Sequence, residues 1–450
     1  MDKTLLYYIW FSTRLYPGNS SAKLLLERYE DIAAIYNAAR TEYEAAGVPH
    51  GDAVRLADKN LEDAARYYDY CEKEHIGILT YDNPYYPGRL KAINDPPPLL
   101  YYRGRVNLLD DYPCFAMVGT RSCSERGFRT AYRTAFGAAS GGAVIVNGLA
   151  LGTDTACMRG ALDAGGYAVG LLGCGIDRIY PAQNTELFCR LSRQGLILSE
   201  FAPFTRPDGH HFPVRNRVIS GLSVAAVIFE ADEGSGALIT ASHALSQGRK
   251  LFAVPGDVND RLYGGPLGLI KEGAQIVTDA DDILTEYSLM FPHRIHANGK
   301  TAVPPEFENA AVNDAFSAAA RAAGAKAPRE RRLPKPPRAP RAKKANGSPD
   351  SAPEPEQTIR QAEVKRPPEP MQTHPAPDAP SSESKAEEKD LSLLSPEERK
   401  LYAFFEKQPV QTVDELVARG LKTDDVLSSL TLLEVYGFVR ILPGGRYEKL

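Results

Sequence analysis

Short apolar segments alternate with helical stretches between residues 76 and 288, and this alternation constrains the fold more than any other feature of the chain. Most of these segments run into a glycine-rich turn and then a helical stretch, the pattern of repeated strand–turn–helix units. The predicted strands are Phe115–Val118, Ala143–Val146, Ala168–Leu172, Leu196–Leu198, Val224–Phe229, Leu251–Val254 and Gln275–Val277. Such units build a parallel sheet through right-handed crossovers, and ligands bind at the carboxyl ends of the strands. The sequence therefore predicts an α/β fold with its functional groups along one sheet edge.

Residues 1–75 have a different, helical pattern. Apolar residues follow the 3.6-residue period over Ala22–Tyr29, Ile32–Ala46 and Leu61–Glu74. The segment Gly47–Gly51 is similar to a helix-hairpin-helix loop, although an ordinary interhelical turn is the simpler explanation. We predict a small helical N-terminal domain of the SAM-like (sterile-alpha-motif) or helix-hairpin-helix-like type, followed by the α/β domain over residues 76–290.

Residues 291–390 are dominated by Pro, Ala, Lys, Arg, Glu and Ser, and aromatic residues nearly vanish. Such a composition buries too little apolar surface to offset the entropy lost on ordering, so we predict a disordered charged linker. Its charges are segregated, because Arg321–Lys344 is strongly basic and Asp350–Asp390 is acidic on balance. The basic half is expected either to attract nucleic acid electrostatically or to act as a passive tether.

Residues 391–450 regain the signals of a folded domain. Capping boxes occur at Ser395–Glu398 and Thr412–Glu415, and a third helix is predicted from about Asp424 to Tyr436. The segments Phe438–Leu442 and Arg446–Lys449 flank a Pro-Gly-Gly turn, which predicts a hairpin. Three short helices and a hairpin predict a winged helix.

Charge and cysteine content limit the classes of function. The net charge of −4 excludes a uniformly basic surface, so any DNA site must be a local patch. The six cysteines form no CxxC pair and no Cys/His metal spacing, so we expect neither a metal site nor a disulfide framework. No apolar run is long enough to cross a bilayer, and we expect a cytoplasmic protein.

Two strand-to-helix turns have the features of phosphate sites. Gly119, Thr120 and Arg121 follow the first strand of the α/β region; the glycine lets a ligand approach the backbone, and the free amides at the helix start attract anions. Gly148 and Gly152 allow the same close approach after the next strand, where Asp154 is predicted to cap the helix.

Two further segments add to this set. The triplet Arg215, Asn216 and Arg217 offers two guanidinium groups and an amide to phosphate. The segment Gly234–Thr240 is predicted to form a nest of amides and hydroxyls, with Gly234, Ser235, Gly236 and Thr240 as candidate DNA-binding residues. Glu230 is predicted to orient an arginine. Four anion-binding loops at one sheet edge would together form a groove.

Motifs for catalysis are absent from the sequence. There is no G-x-S-x-G, no P-loop lysine motif and no carboxylate pair with a partnering histidine. Ala139 stands where a dinucleotide site would place an acidic residue, so no cofactor is expected. The chain is therefore predicted to hold a phosphate backbone rather than to cleave it, and not to be an enzyme.

These segments together resemble the DNA-processing protein A (DprA/Smf) family. The similarity is carried by Met117–Arg121, Asn147–Asp154, Gly175–Pro181, Ser199-Glu200, Phe212–Arg217, Gly234–Thr240 and Val254–Gly256, with Tyr86-Pro87 and Asp95–Tyr101 upstream. It covers about residues 76–284, with a weaker match from Leu394 to the C-terminus.

The resemblance implies a Rossmann-like domain that binds single-stranded DNA in a basic pocket, forms a homodimer and loads RecA recombinase onto incoming DNA in natural transformation. It places Arg121, Arg215, Asn216 and Arg217 in the phosphate pocket. An alternative is a nucleotide-binding or nucleoside-monophosphate-cleaving Rossmann enzyme, although Gly234–Thr240 lacks the Pro and Glu that such enzymes use.

The chain departs from the family pattern Ser-Gly-Leu-Ala-Arg-Gly-Ile-Asp at three positions, Asn147, Leu151 and Thr153. Cys157 also replaces a histidine of the family, and Gly265–Leu267 stands where the family has Gly-Thr-Asn. Loss of the arginine at Leu151 either weakens DNA contact or leaves it to the remaining arginines.

Overall fold

The computed structural model describes residues 2–296, 303–305, 307–314, 396–412, 415–416, 419, 426, 429–430, 433, 438–442 and 446–449. The chain divides into two compact units, Met1–Ala342 and Lys343–Leu450. In the described residues no helix is both long and apolar enough to span a bilayer.

The N-terminal region is helical, as the periodicity predicts. Its helices are α1 Lys3–Arg14, α2 Ser21–Arg28, α3 Ile32–Asn37, α4 Arg40–Ala45, α5 His50–Ala57 and α6 Glu62–Lys73. The prediction of one continuous helix over Ile32–Ala46 is wrong, because Ala38 and Ala39 are extended. The Glu42 carboxylate accepts a hydrogen bond from the Ala39 amide at 2.6 Å and so starts a new helix there. Helices α1 and α5 were not predicted.

A nine-stranded sheet follows the helices. Its strands are β1 Gly77–Thr80, β2 Leu99–Gly104, β3 Cys114–Val118, β4 Val144–Asn147, β5 Ala168–Leu172, β6 Leu196–Ser199, β7 Ala225–Ile228, β8 Lys250–Ala253 and β9 Gln275–Ile276. The spatial order is β1-β2-β6-β5-β4-β3-β7-β8-β9. Strands β3 to β9 pair in parallel, which confirms the predicted α/β fold.

Strands β1 and β2 are an antiparallel addition that the periodicity did not predict. Strand β2 begins directly after the prolines Pro96, Pro97 and Pro98, which favour a loop in sequence-based reasoning. It pairs with β6 and so extends the parallel sheet by two strands at one edge.

Helices cover both faces of the sheet. They are α7 Gly88–Lys91, α8 Glu125–Ser140, α9 Thr153–Asp163, α10 Thr185–Gln194, α11 His211–Gly221, α12 Gly236–Ser246, α13 Gly264–Lys271 and α14 Ala280–Tyr287. The chain builds β4, β5 and β6 to one side of β3 and then places β7 on its other side. This reversal opens a crevice at the carboxyl ends of β3 and β7, where ligands bind in folds of this type.

The N-terminal helices and the sheet share one apolar core. Trp10 and Tyr43 are fully buried in the same continuous cluster as Phe115 and Phe128 of the α/β region. A second link joins α6 to the loop after β6, because the Tyr70 and Phe204 rings lie 4.4 Å apart between centroids. Helices and sheet are therefore parts of one packed body, although the pattern changes from helices to strands near residue 76.

The segment predicted to be a disordered linker begins with ordered residues. Residues 307–314 are helical, and Glu308, Ala311 and Val312 are buried. Residues 291–296 and 303–305 are also described, whereas the other residues of the predicted linker, including its basic and acidic halves, lie outside the described residues.

The second unit contains the helix Pro396–Lys407 and the strands β10 Val410–Thr412, β11 Val439–Leu442 and β12 Arg446–Lys449. The strands form an antiparallel sheet in the order β10-β12-β11, so the predicted hairpin is confirmed. Of the two predicted capping boxes, the one at Thr412–Glu415 is present, because the Thr412 amide donates to Glu415 at 2.7 Å and the Glu415 amide donates to Thr412 Oγ1 at 3.2 Å. The other begins at Ser395, which lies outside the described residues. The predicted third helix lies largely outside the described residues.

Helix α9 contacts α8 through Gly160, and this contact gives a test of the packing. A Cβ at Gly160 would lie 2.3 Å from the Tyr132 carbonyl oxygen, so Gly160→Ala must push the two helices apart. We expect it to lower the free energy of unfolding by about 1–3 kcal/mol. Gly268→Ala in α13 is the matched control, because a Cβ there meets nothing within 4 Å. Its expected effect in chemical denaturation is a gain of up to about 1 kcal/mol from helix propensity; equal losses in both variants would contradict the packing argument.

Candidate functional site

A pocket of about 620 Å³ lies at the carboxyl edge of the sheet, at the crevice between β3 and β7. Its walls come from the turns after β3, β4, β5, β6 and β7 and from helices α11 and α12. Eight of the predicted DNA-binding residues line it: Gly119, Thr120, Arg121, Arg215, Asn216, Ser235, Gly236 and Thr240. The predicted convergence of these loops is therefore present in the structure.

Two guanidinium groups face the pocket from different elements. Arg121 is exposed in the turn after β3, whereas Arg215 is buried near the start of α11. Both lie over the ring of Phe212, at 5.2 Å and 5.9 Å from its centroid. Arg121 is therefore the more accessible of two cations that are held against one aromatic surface.

Arg215 is fixed by the turns at the strand ends. Its Nη1 donates to the carbonyl oxygen of Gly148 at 3.0 Å and to that of Leu171, and its Nε donates to Asn216 Oδ1 at 3.2 Å. Burial lowers the pKa of Arg215 to about 10, although the nearby Asp154 carboxylate opposes the shift. The group therefore remains a cation at neutral pH.

Asp154 lies at the base of the pocket and supports the turn after β4. Its Oδ2 accepts hydrogen bonds from the amides of Gly148 at 3.0 Å and Ala150 at 3.3 Å. Burial raises the pKa of this carboxyl to about 6, against the lowering effect of Arg215. The prediction that Asp154 is the N-cap of α9 is wrong, because Gly152 occupies that position.

The glycines of the turn after β4 act through packing rather than by facing the pocket. A Cβ at Gly148 would lie 2.4 Å from Arg215 Nη2, so glycine there leaves room for the guanidinium. Gly152 has a φ of +74°, a backbone conformation that favours glycine, and it packs against the backbone of Thr120 and Arg121. Neither residue lines the pocket, and Gly234 does not line it either.

The first turn of α12 closes another side. The Ser235 hydroxyl caps the helix by accepting a hydrogen bond from the Ala237 amide at 3.4 Å. Asn216 donates to the carbonyl oxygen of Gly236 at 3.3 Å, which ties α11 to this turn. The free amides of a helix start thus lie beside Arg121, an arrangement that favours an anion.

Arg217 does not lie in the pocket, contrary to its predicted role as a phosphate contact. Its side chain is 3% exposed and donates to both carboxylate oxygens of Glu200, at 2.8 Å and 2.9 Å, and to Asp95 at 2.8 Å. We therefore assign it a structural role that joins α11 to the end of β6 and to the Asp95 segment. The predicted role of Glu230 is also wrong, because it accepts hydrogen bonds from the amide and hydroxyl of Ser124 rather than orienting an arginine.

Aromatic residues of the pocket were missed as site residues by sequence reasoning. The rings of Tyr180 and Phe212 stack with centroids 5.5 Å apart and planes 27° apart, and Tyr180 is 40% exposed. Both belong to the segments that carry the family resemblance, but their sequence separation hides the contact. Parallel aromatic faces at an anion site are suited to stacking on unpaired bases.

Asp208 and Asp232 were also missed, and they line the pocket with Asp154. The lining thus combines two arginines with three aspartates, so its charge is mixed rather than uniformly positive. Of the departures from the family pattern, Cys157 is buried in α9 and Leu151 does not line the pocket.

Comparisons with known proteins agree with this architecture. The family model for DNA recombination-mediator protein A matches residues 77–288, and that for the DprA winged helix domain matches residues 374–445. DNA processing protein DprA of Streptococcus pneumoniae is 42% identical over 202 residues, which cover 45% of this chain and 71% of that protein. DNA processing protein DprA of Bacillus subtilis is 38% identical over 214 residues, covering 48% of this chain and 72% of that protein.

Among solved structures, DNA processing protein A from Streptococcus pneumoniae superposes with a TM-score of 0.56 at 32% identity, covering 64% of this chain and 98% of the other. The predicted Rossmann-like core and C-terminal winged helix are thus confirmed. The chain belongs to the DNA-processing protein A (DprA/Smf) family.

Proposed function

We propose that this chain binds single-stranded DNA in the pocket between Arg121, Arg215 and the stacked rings of Tyr180 and Phe212. The observation that carries the proposal is the position of two guanidinium groups over one aromatic ring at a helix start. Guanidinium groups and helix amides bind phosphate, and aromatic faces stack on bases. The relatives named DNA processing protein support DNA as the polymer.

A single strand fits this combination better than a duplex. Bases can stack on Tyr180 or Phe212 only when their faces are exposed, whereas a duplex buries those faces between neighbouring base pairs. The aspartates of the lining also repel phosphates that approach away from Arg121. The pocket thus favours a strand with its phosphate beside Arg121 and a base against the rings.

We infer that the protein holds this strand without cleaving it. The support is the sequence, which lacks the nucleophile, P-loop and metal motifs of nucleic-acid hydrolysis. The alternative is a nucleotide-binding or nucleoside-monophosphate-cleaving enzyme, and a volume of about 620 Å³ is large enough for a mononucleotide. A mononucleotide pocket predicts saturable binding of dTMP, whereas a DNA site predicts affinity that rises with oligonucleotide length.

Arg121 offers the cleanest test of the DNA site because it is exposed and its loss should leave the fold intact. We expect Arg121→Ala to weaken binding of labelled (dT)20 and to lower the salt slope of log K by about 0.7, the value for one phosphate contact on a single strand. Phe212→Ala should cost about 1–3 kcal/mol of binding free energy through lost stacking. Arg193→Ala, at an exposed arginine of α10 outside the pocket lining, is the charge-matched control. An unchanged slope in Arg121→Ala, or tight saturable binding of dTMP, would contradict a DNA site.

The raised pKa of Asp154 predicts a pH dependence of binding. Its carboxylate lies near Arg215 and is negative above pH 6, so protonation below about pH 6 removes a negative charge from the base of the pocket. Because a bound phosphate favours the protonated form, affinity for (dT)20 should rise as pH falls from 7.5 to 5.5. The gain is up to about tenfold for each unit by which phosphate raises that pKa.

Asp154→Asn isolates this effect, because the amide oxygen can still accept from the amides of Gly148 and Ala150. The variant should bind more tightly at pH 7.5 and show a flatter pH profile. The two proteins differ only at this side chain, so every other contribution to the pH profile is common to both. Parallel profiles would show that Asp154 does not face the bound phosphate.

We further propose that the protein is a homodimer that protects incoming DNA and loads RecA recombinase onto it in natural transformation. The family resemblance and the description recombination-mediator protein support this role. We expect the protein to shorten the lag of RecA ATPase on DNA covered by single-strand-binding protein, and Arg121→Ala to lose that effect. If the wild-type protein leaves the lag of RecA ATPase unchanged, RecA loading is contradicted, but the proposed DNA binding is not.

A further inference from the structure

Helix α8 carries a row of arginines that begins beside the pocket. Arg126, Arg129 and Arg133 are spaced three and four residues apart, so they lie on one face of the helix. They line a shallow groove with Glu125 and Thr130. Arg121 precedes α8 by one short turn, and the row extends about 10 Å beyond Arg126 along the helix axis. The row thus starts five residues after Arg121, which lines the pocket.

An acidic strap, the described residues 303–305 and 307–314, crosses this row. The Glu308 carboxylate accepts hydrogen bonds from Arg129 at 3.1 Å and from Arg133 at 2.9 Å. Glu308 is only 4% exposed, whereas Arg133 remains exposed. Asn309 accepts a second hydrogen bond from Arg129, at 3.0 Å.

The strap also occupies an arginine of the neighbouring helix. Arg159 of α9 donates to the carbonyl oxygen of Ala311 at 3.1 Å and lies 3.5 Å from the Asp314 carboxylate. Three arginines on two helices thus have their partners on one short segment. A carboxylate seated between two guanidinium groups is positioned as a phosphate would be.

The apolar contacts of the strap are few compared with those of the helices beneath it. Ala311 and Val312 are its buried hydrophobic residues, with Val303 partly buried. Segments with few buried apolar contacts open at low free-energy cost. The ion pairs therefore contribute much of the free energy that keeps the strap packed on α8 and α9. A polyanion that offers several charges at once displaces the carboxylate partners of ion pairs near a surface.

We propose that the arginine row Arg126–Arg129–Arg133, with Arg159, binds the sugar-phosphate backbone of single-stranded DNA as the strand leaves the pocket, and that the acidic strap competes for this surface. The proposal rests on the proposed DNA site and extends it. Continuity with Arg121 favours a strand that already occupies the pocket over an acidic protein partner. Short oligonucleotides fill the pocket alone, whereas longer ones reach the row and displace the strap.

Glu308→Gln tests the competition, because it weakens the hold of the strap on Arg129 and Arg133 while keeping the side-chain shape. We expect affinity for (dT)20 to rise by about fivefold at low salt and the salt slope to increase by about 1.4, for two additional phosphate contacts. Affinity for (dT)2 should not change, since a dinucleotide is too short to occupy the pocket and the row together.

Glu125→Gln is the matched control. Glu125 also accepts a hydrogen bond from Arg129, at 2.9 Å. Its substitution therefore removes one negative charge beside the same arginine but leaves the strap in place. Its effect on (dT)20 should be small. The added changes Arg129→Ala and Arg133→Ala in the Glu308→Gln protein should abolish the gain.

Several outcomes would overturn the proposal. If Glu308→Gln leaves the affinity for (dT)20 unchanged, or if Glu125→Gln raises it equally, the strap does not compete with DNA. A gain in affinity for (dT)20 that persists after Arg129 and Arg133 are replaced would exclude the row as the binding surface. Release of the strap by an acidic peptide but not by DNA would exclude it as well. Loss of (dT)2 binding in Arg121→Ala reports on the pocket separately, so failure of the row and failure of the pocket are distinguishable.

Discussion

The Arg215 guanidinium is the interaction on which the pocket depends. It binds the carbonyl oxygens at the ends of two strands, lies against Asp154, and sits over the Phe212 ring. A buried cation requires such partners, because burial without them costs several kcal/mol. The turns after β4 and β5 are thereby held at fixed positions relative to α11. Gly148 is part of the same requirement, since any larger residue would occupy the space of the guanidinium.

Arg217, two residues after Arg215, is also a buried cation, and different partners neutralise it. Positions two apart on a helix face nearly opposite directions, so Arg215 and Arg217 cannot both point into the pocket. Arg217 turns toward Glu200 and Asp95, and burial is offset by three charged hydrogen bonds. One arginine therefore fixes the floor of the site, and the other fixes the helix that carries the first.

This pair also shows how far sequence reasoning reaches. The parallel strands were predicted within about one residue of their ends, because buried strands are short apolar runs followed by turns. The convergence of four loops followed from the topology of a parallel sheet. The partners of Arg217 did not, since Asp95 and Glu200 are distant in sequence and look like ordinary surface acids. The Tyr180–Phe212 stack and the break at Ala38 likewise depend on contacts that periodicity does not encode.

The core shared by the N-terminal helices and the sheet makes them one thermodynamic body. Trp10 belongs to the same apolar cluster as the central strand β3, and Phe204, which contacts α6, lies three residues before Pro207 in the pocket wall. Binding free energy gained at the N-terminal helices or at the pocket therefore stabilises both regions, because both belong to the same folded state. A partner that binds the N-terminal helices would stabilise the DNA pocket without touching it, and bound DNA would protect those helices from hydrogen exchange and proteolysis.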